Sequence, residues 1–205
     1  MRKRILISLL VGASLALSTS VVSAGTLETA TVRGQGPAGP TIAGASASIM
    51  RTDTSVIAKV VMDTPEAGSY TLGAGATGSQ IHGSPAAFSL WVFVFFNPEE
   101  CAAAVCGPGD LINDPDVVAG AFNAGGHIVG GPNLNLSGSV NASRATFGGP
   151  NAETIGQALD MGYNLADADI HLAVAPHGVL TPALLPEQIS TPVGTPANWW
   201  LAFFD

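Results

Sequence analysis

The sequence predicts an all-β fold of short strands, a sandwich or a barrel, with at most one or two short helices. The 205 residues include 25 Gly and 14 Pro, and turn-forming residues recur roughly every 8–12 residues, as they do in sandwiches. Short β-rich segments lie between these turns. Several of them alternate apolar and polar side chains, which is the period of a half-buried strand.

Two of the predicted strands have a distinctive pattern. Between residues 133 and 140, Leu134, Leu136 and Val140 face one way and polar side chains face the other, as in a strand with one buried face. Residues 88–96 are apolar on both faces, which predicts a central strand covered on both sides. The other predicted strands cover residues 27–33, 45–50, 54–62, 69–72, 79–82, 117–122, 127–129, 169–174 and 199–204.

Two segments are predicted helices. In residues 151–161, Ile155, Ala158 and Leu159 share one face at helical spacing. Residues 180–189 have room for a turn or two of helix around Pro182 and Pro186.

The first 24 residues read as a secretory signal peptide. Three basic residues open the chain, residues 5–17 are apolar, and small residues precede a cleavage site after Ala24. The apolar core is shorter than the roughly 20 residues of a spanning helix, so a membrane anchor is the weaker alternative. We expect a secreted or periplasmic protein in which residues 25–205 form a single domain.

Without the signal peptide the chain is strongly acidic. It keeps four basic residues, Arg33, Arg51, Lys59 and Arg144, against 15 acidic ones, a formal net charge of −11. A nucleic-acid binder needs a basic surface that neutralises phosphates, so we exclude nucleic acid as a partner. The most apolar later segment, residues 86–96, is too short to span a membrane, and we expect no integral membrane segment in the mature chain.

The two cysteines, Cys101 and Cys106, are close in sequence. In an oxidising compartment such a pair forms a disulfide that closes a small loop. A zinc site is the weaker interpretation because no second cysteine pair supplies the remaining ligands. The spacing also differs from the C-x-x-C of redox-active pairs.

Four histidines are candidate ligands or bases. His82, His171 and His177 lie in or beside predicted strands, and three imidazoles brought together by a sandwich could bind copper or zinc. The alternative is that these three, like His127, make ordinary hydrogen bonds in strands and turns. The H-E-x-x-H spacing of zinc enzymes is absent.

No catalytic motif is visible in the sequence. The chain lacks the G-x-S-x-G nucleophile elbow, and no Lys-Ser/Thr follows its glycine clusters to complete a phosphate loop. Spacing selects no Ser, His and Asp for a triad. We therefore expect a protein that is not an enzyme and needs no cofactor, with a metal ion at the three histidines as the alternative.

The C-terminus is rich in aromatic residues. Strand alternation places Trp199, Leu201 and Phe203 on one face and Trp200 and Phe204 on the other. One face is expected to be buried. We assign the other, with Trp200 and Phe204, to a possible contact surface for a protein or glycan partner.

Residues 79–86, Ser-Gln-Ile-His-Gly-Ser-Pro-Ala, resemble the A-H-I-H-G-P-A signature of chordin-type (CHRD) domains, with Gln80 at the first His. Further pieces as far as residue 191 resemble uncharacterised bacterial exported proteins related to those domains. The resemblance implies an all-β sandwich, an extracellular or periplasmic setting and no established enzymatic activity. It leaves His82 and His171 as matching histidines. The pieces are Trp91 to Asn97, Cys101 with Cys106, Asp110-Leu111, Asn113-Asp114-Pro115, residues 168–172, His177-Gly178 and residues 187–191.

From these observations we predict a Greek-key-like antiparallel β-sandwich that is exported, held by a disulfide and not catalytic. Such a domain would act as a binding or structural module at or outside the cell envelope. The competing hypotheses are a copper- or zinc-binding protein that uses the three histidines, and an adhesion protein that uses the C-terminal aromatics.

Overall fold

The computed structural model describes residues 25–75, 77–149 and 152–204. The predicted signal peptide, residues 1–24, lies outside the described residues. Two antiparallel sheets confirm the all-β sandwich. The strands are β1 (Thr26–Ala30), β2 (Arg33–Gln35), β3 (Ser46–Arg51), β4 (Ser55–Asp63), β5 (Ala86–Phe95), β6 (Ala119–Val129), β7 (Asn133–Asn141), β8 (Asp169–Val179) and β9 (Trp200–Phe204). The four-stranded sheet has the order β1-β3-β4-β7 and the five-stranded sheet the order β2-β9-β8-β5-β6.

The core lies between the two sheets. Alternate side chains of β4 and β7 point into it, and Leu134, Leu136 and Val140 are buried as the alternation predicts. From the facing sheet, β5 contributes Leu90 and Val92, which are fully buried in the same cluster. Removing apolar surface from water contributes about 25 cal/mol per Å² to the stability of the fold. This layer is therefore the main stabilising element.

Strand β5 is buried on both faces, as its composition predicts. Leu90 and Val92 face the core, whereas Ser89, Trp91 and Phe93 point to the opposite side of the five-stranded sheet. We call this side the outer face. It is covered in part by short helices and loops, so Trp91 keeps 1% of its surface exposed.

The described residues form three short α-helices, one more than expected: α1 (Pro108–Asn113), α2 (Ile155–Asp160) and α3 (Glu187–Ser190). Helix α2 lies within the predicted segment 151–161, and α3 begins in the predicted segment 180–189 and ends one residue beyond it. Helix α1 follows the cysteine pair, where the sequence suggests a turn. It begins at Pro108, and Asp110 accepts a hydrogen bond from the Gly107 backbone N–H at 2.6 Å, a local cap that stabilises so short a helix.

Several strand predictions need correction. Predicted strand 27–33 divides into β1 and β2, which belong to different sheets. Predicted strands 117–122 and 127–129 form one strand, because Gly125 adopts φ +138° at a β-bulge opposite Leu90 and Trp91. Segments 69–72 and 79–82 contain no strand in the structure.

The two sheets approach closely at Gly138 of β7. A Cβ atom at this position would overlap the carbonyl oxygen of Ala124 on β6. Glycine is therefore required by the close backbone approach rather than by a turn. Among the helices of the described residues, none is long and apolar enough to cross a membrane.

Candidate functional site

The three histidines proposed as metal ligands are not brought together. His171 lies on the outer face, where its ring centroid is 5.1 Å from that of Phe95 and 4.7 Å from that of Phe203. His177 is six residues further along β8, and strand rise separates the two by about 20 Å. One ion therefore cannot lie within the ~2.0–2.1 Å metal–imidazole bond length of both the His171 ring and the His177 ring.

The ring of His82 has different neighbours from those of His171 and His177. Its ring packs edge-on against Tyr70 with centroids 4.6 Å apart, and Tyr70 itself contacts Trp200 at 5.2 Å. In the described part of the chain, no group of three His, Cys, Asp or Glu side chains is arranged to hold a metal ion. The prediction of a site built from His82, His171 and His177 is therefore wrong, because β8 spreads two of them along its length. The fourth histidine, His127, lies exposed on β6.

His177 belongs instead to a buried polar network on the outer face. Its Nε2 lies 2.7 Å from Ser89 Oγ, and Trp91 Nε1 donates to the same hydroxyl at 2.8 Å. The buried Gln188 side chain contacts the same strand, since its Nε2 donates to the Val179 carbonyl at 2.9 Å and to the His177 carbonyl at 3.4 Å. Burial lowers the pKa of His177 from 6.5 to about 4, because the imidazolium form would lose its hydration.

This serine–histidine contact is inaccessible. Ser89 and His177 are both 0% exposed, so a substrate cannot reach the hydroxyl without opening the sheet. The contact satisfies the Ser89 hydroxyl and His177 Nε2, whereas the buried His177 Nδ1 has no hydrogen-bond partner among the described residues. The role of the contact in the described structure is to join two central strands.

The predicted disulfide is present between Cys101 and Cys106. It closes the loop that leads into α1, and the Ala102 backbone N–H donates to Asp110 Oδ1 at 3.0 Å. The covalent bond thus closes the loop, and the buried Asp110 carboxylate holds the closed loop against the helix. In this position α1 rests on the outer face, where Leu111 packs against Phe95.

The C-terminal aromatics are oriented opposite to the prediction. Trp200 and Phe204 are 5% and 4% exposed and pack in the core between the sheets. They cannot form a contact surface, so this assignment is wrong. Trp199 and Phe203 are the residues that point to the outer face. Alternation distinguishes the two faces of β9 but does not tell which one the facing sheet covers.

An apolar groove lies on the outer face beside Trp199. We call it the outer-face groove and define it by Phe93, Leu111, Ile112 and Trp199, which line two adjoining recesses of about 260 and 220 Å³. The rings of Phe93 and Trp199 stack with centroids 5.7 Å apart and planes 26° from parallel. Ile112 is 48% exposed at the rim.

The positions of the groove residues follow from the sheet and from α1. Phe93 is an outward residue of β5, and Trp199 is anchored by its Nε1, which donates to the Val193 carbonyl at 2.7 Å. Leu111 and Ile112 come from α1, which the disulfide loop holds against the sheet. No sequence motif marks this set, since its members come from three separate segments. The aromatic C-terminus was the one signal that pointed towards it.

A separate recess, with a volume of about 660 Å³, adjoins the middle of β6 and the end of β7 and is lined mainly by polar side chains. Arg144 is its one basic residue, and its Nε and Nη2 donate to the Asn123 carbonyl at 3.1 and 2.7 Å. We call it the Arg144 recess. Phe147 lines both this recess and the outer-face groove.

Comparison of the chain with family models, with curated proteins and with solved structures finds no match.

Proposed function

We propose that this protein is an extracytoplasmic, non-catalytic binding module that takes a small apolar ligand into the outer-face groove. The observation that carries the proposal is the groove itself. Phe93 and Trp199 present a stacked aromatic wall, and Leu111 and Ile112 form the opposite wall. Concave apolar sites of this kind are the usual ligand sites of proteins.

The lining decides the class of ligand. The recess of about 260 Å³ is bordered mainly by aromatic and aliphatic side chains and by prolines. A cavity of roughly 150 Å³ holds one benzene molecule, so the groove has room for an apolar body of about one or two rings. A neutral sugar is a poor fit, because its hydroxyl groups would be buried against walls that offer few hydrogen-bond partners.

The non-catalytic part of the proposal is supported by the burial of the one serine–histidine contact. Ser89 and His177 are closed off beneath the outer layer and line neither recess of the groove. The groove is bordered by no titratable side chain among the described residues. General acid–base or nucleophilic chemistry needs such a group within hydrogen-bond reach of the substrate.

The extracytoplasmic setting is supported by three observations. The disulfide between Cys101 and Cys106 is of the kind that persists in oxidising compartments. Residues 1–24 have the composition of a signal peptide. The resemblance of residues 79–191 to chordin-type domains implies the same setting. N-terminal sequencing of the protein from its compartment is expected to begin at Gly25, and an N-terminus at Met1 would contradict export.

The test of ligand binding uses 4-phenylbutanol, an uncharged ligand with one ring, and isothermal titration of residues 25–205. Ile112→Asp places a charge at the rim of the groove and is expected to weaken binding at least tenfold. Ile57→Asp is the matched control, because Ile57 is 43% exposed on β4, in the other sheet. Equal effects of the two variants, or no binding to the unmodified chain, would overturn the proposal.

A further inference from the structure

The Arg144 recess differs in character from the groove that it adjoins. Three residues with hydroxyls, Ser139, Ser143 and Ser190, and two with amides, Asn123 and Asn141, line the recess together with Arg144. Among the described residues no carboxylate lines this recess.

The guanidinium is held in place by the backbone. Two of its nitrogens donate to the Asn123 carbonyl, and Asn123 is in turn anchored by its Nδ2, which donates to the Ile189 carbonyl at 3.1 Å. Asn123 is 6% exposed, whereas Arg144 is exposed. A carbonyl acceptor positions the guanidinium without neutralising its charge, so the remaining N–H groups stay available to an anion.

The recess is close enough to the groove for one ligand to occupy both. Phe147 exchanges two backbone hydrogen bonds with Ala121 of β6, at 2.7 and 3.1 Å, and Ala121 lines the groove. Asn123, which holds Arg144, is two residues further along the same strand, about 7 Å from Ala121. A flexible linker of a few methylene groups covers such a distance.

We infer that the ligand of the outer-face groove is an amphipathic acid whose anionic group binds Arg144 while its apolar body lies against Phe93 and Trp199. This inference rests on the proposed function and adds the charge of the ligand. Phe147 lines both the outer-face groove and the Arg144 recess, so a ligand in contact with its ring can extend from one to the other. The Ser139 hydroxyl and the Asn141 amide can supply further donors to the oxyanion, whereas the Ser143 and Ser190 hydroxyls already donate to Asn141 Oδ1 and to the Pro186 carbonyl.

The test compares two ligands with the same apolar body. Isothermal titration at low ionic strength measures the affinity of 4-phenylbutyrate against that of 4-phenylbutanol. The acid is expected to bind roughly fivefold more tightly, in line with a partly solvated arginine–carboxylate pair. The preference is expected to shrink as salt is added, because added ions screen the pair.

Arg144→Gln is expected to abolish the preference for the acid while leaving the affinity for the alcohol unchanged. Arg33→Gln is the matched control. It removes the same charge from the opposite edge of the same sheet, where the Arg33 guanidinium lies 5.6 Å from the Phe203 ring. We expect Arg33→Gln to retain the preference.

The outcomes separate the inference from the proposed function. Equal affinities for acid and alcohol, both weakened by Ile112→Asp, would overturn the inference and leave the proposed function intact. An equal loss of preference in Arg144→Gln and Arg33→Gln would show that overall charge is responsible, which also overturns it. Absence of binding by both ligands would overturn the proposed function and the inference together.

Discussion

Acidification should destabilise this protein through one residue, His177. Its imidazole is 0% exposed, and its Nε2 lies 2.7 Å from Ser89 Oγ in the network that joins β5 to β8. Burial lowers its pKa from 6.5 to about 4. In the unfolded chain the same imidazole titrates near 6.5, so the unfolded state binds a proton between these two values and the folded state does not.

The sign and size of the effect follow from this difference. The stabilisation due to neutral His177 is complete above pH 6.5 and is lost as the pH falls from 6.5 towards 4. One pKa unit corresponds to about 1.4 kcal/mol. We expect a loss of about 2 kcal/mol in unfolding free energy by pH 5 and about 3 kcal/mol by pH 4.

The assay is urea unfolding of residues 25–205 at pH values between 7.5 and 5, followed by tryptophan fluorescence. His177→Gln should flatten the pH dependence over this range, whereas His127→Gln, at an exposed position on β6, should leave it unchanged. The same pH dependence in the His177→Gln variant and the unmodified chain would refute the reasoning. An NMR titration of the folded protein that shows His177 ionising above pH 6 would refute it as well.

Three further predictions concern stability and are tested by chemical unfolding at neutral pH. Replacing both Cys101 and Cys106 by Ser should lower the unfolding free energy by about 2 kcal/mol, the chain-entropy value for so short a loop. It should also weaken ligand binding in the groove because α1 loses its anchor. Unchanged affinity would contradict that role of the loop. Gly138→Ala should cost at least about 2 kcal/mol because its methyl group overlaps the Ala124 carbonyl, whereas Gly131→Ala, which meets nothing within 4 Å, should cost less than about 1 kcal/mol. Arg51→Met should lower the unfolding free energy by about 3 kcal/mol. The substitution leaves Glu28 and the Leu165 and Ala168 carbonyls without their guanidinium partner. A loss below 1 kcal/mol would argue against that network.

The sandwich could be predicted because its signals are local. Alternation along β4 and β7 identifies residues that face the core whatever the partner strand is. The uniform apolarity of residues 88–96 reports that β5 is covered on both faces. The disulfide follows from two cysteines separated by four residues, a spacing so short that no folding of distant segments is needed to bring them together.

The site could not be predicted in the same way. Alternation along β9 predicts Trp200 and Phe204 as the exposed pair, yet both are buried. Which face of a strand is buried depends on where the second sheet packs, and alternation does not contain that information. The three histidines share a residue type and a neighbourhood in the sequence, but β8 keeps His171 and His177 far apart. The number of residues between two positions on a strand fixes the distance between them. A shared residue type specifies no such distance.

By itself, the sequence determined the all-β class, the alternation that builds the core, the disulfide, and the shortage of basic groups that leaves Arg144 as one of four among residues 25–205. Only the tertiary structure decided that β1 and β2 enter different sheets, that Phe93, α1 and Trp199 enclose a groove, and that Arg144 adjoins it. Local patterns depend on neighbours within a few residues, so sequence reveals them. A groove depends on which distant segments cover which face of a sheet, and that choice is made by the packing of the whole chain.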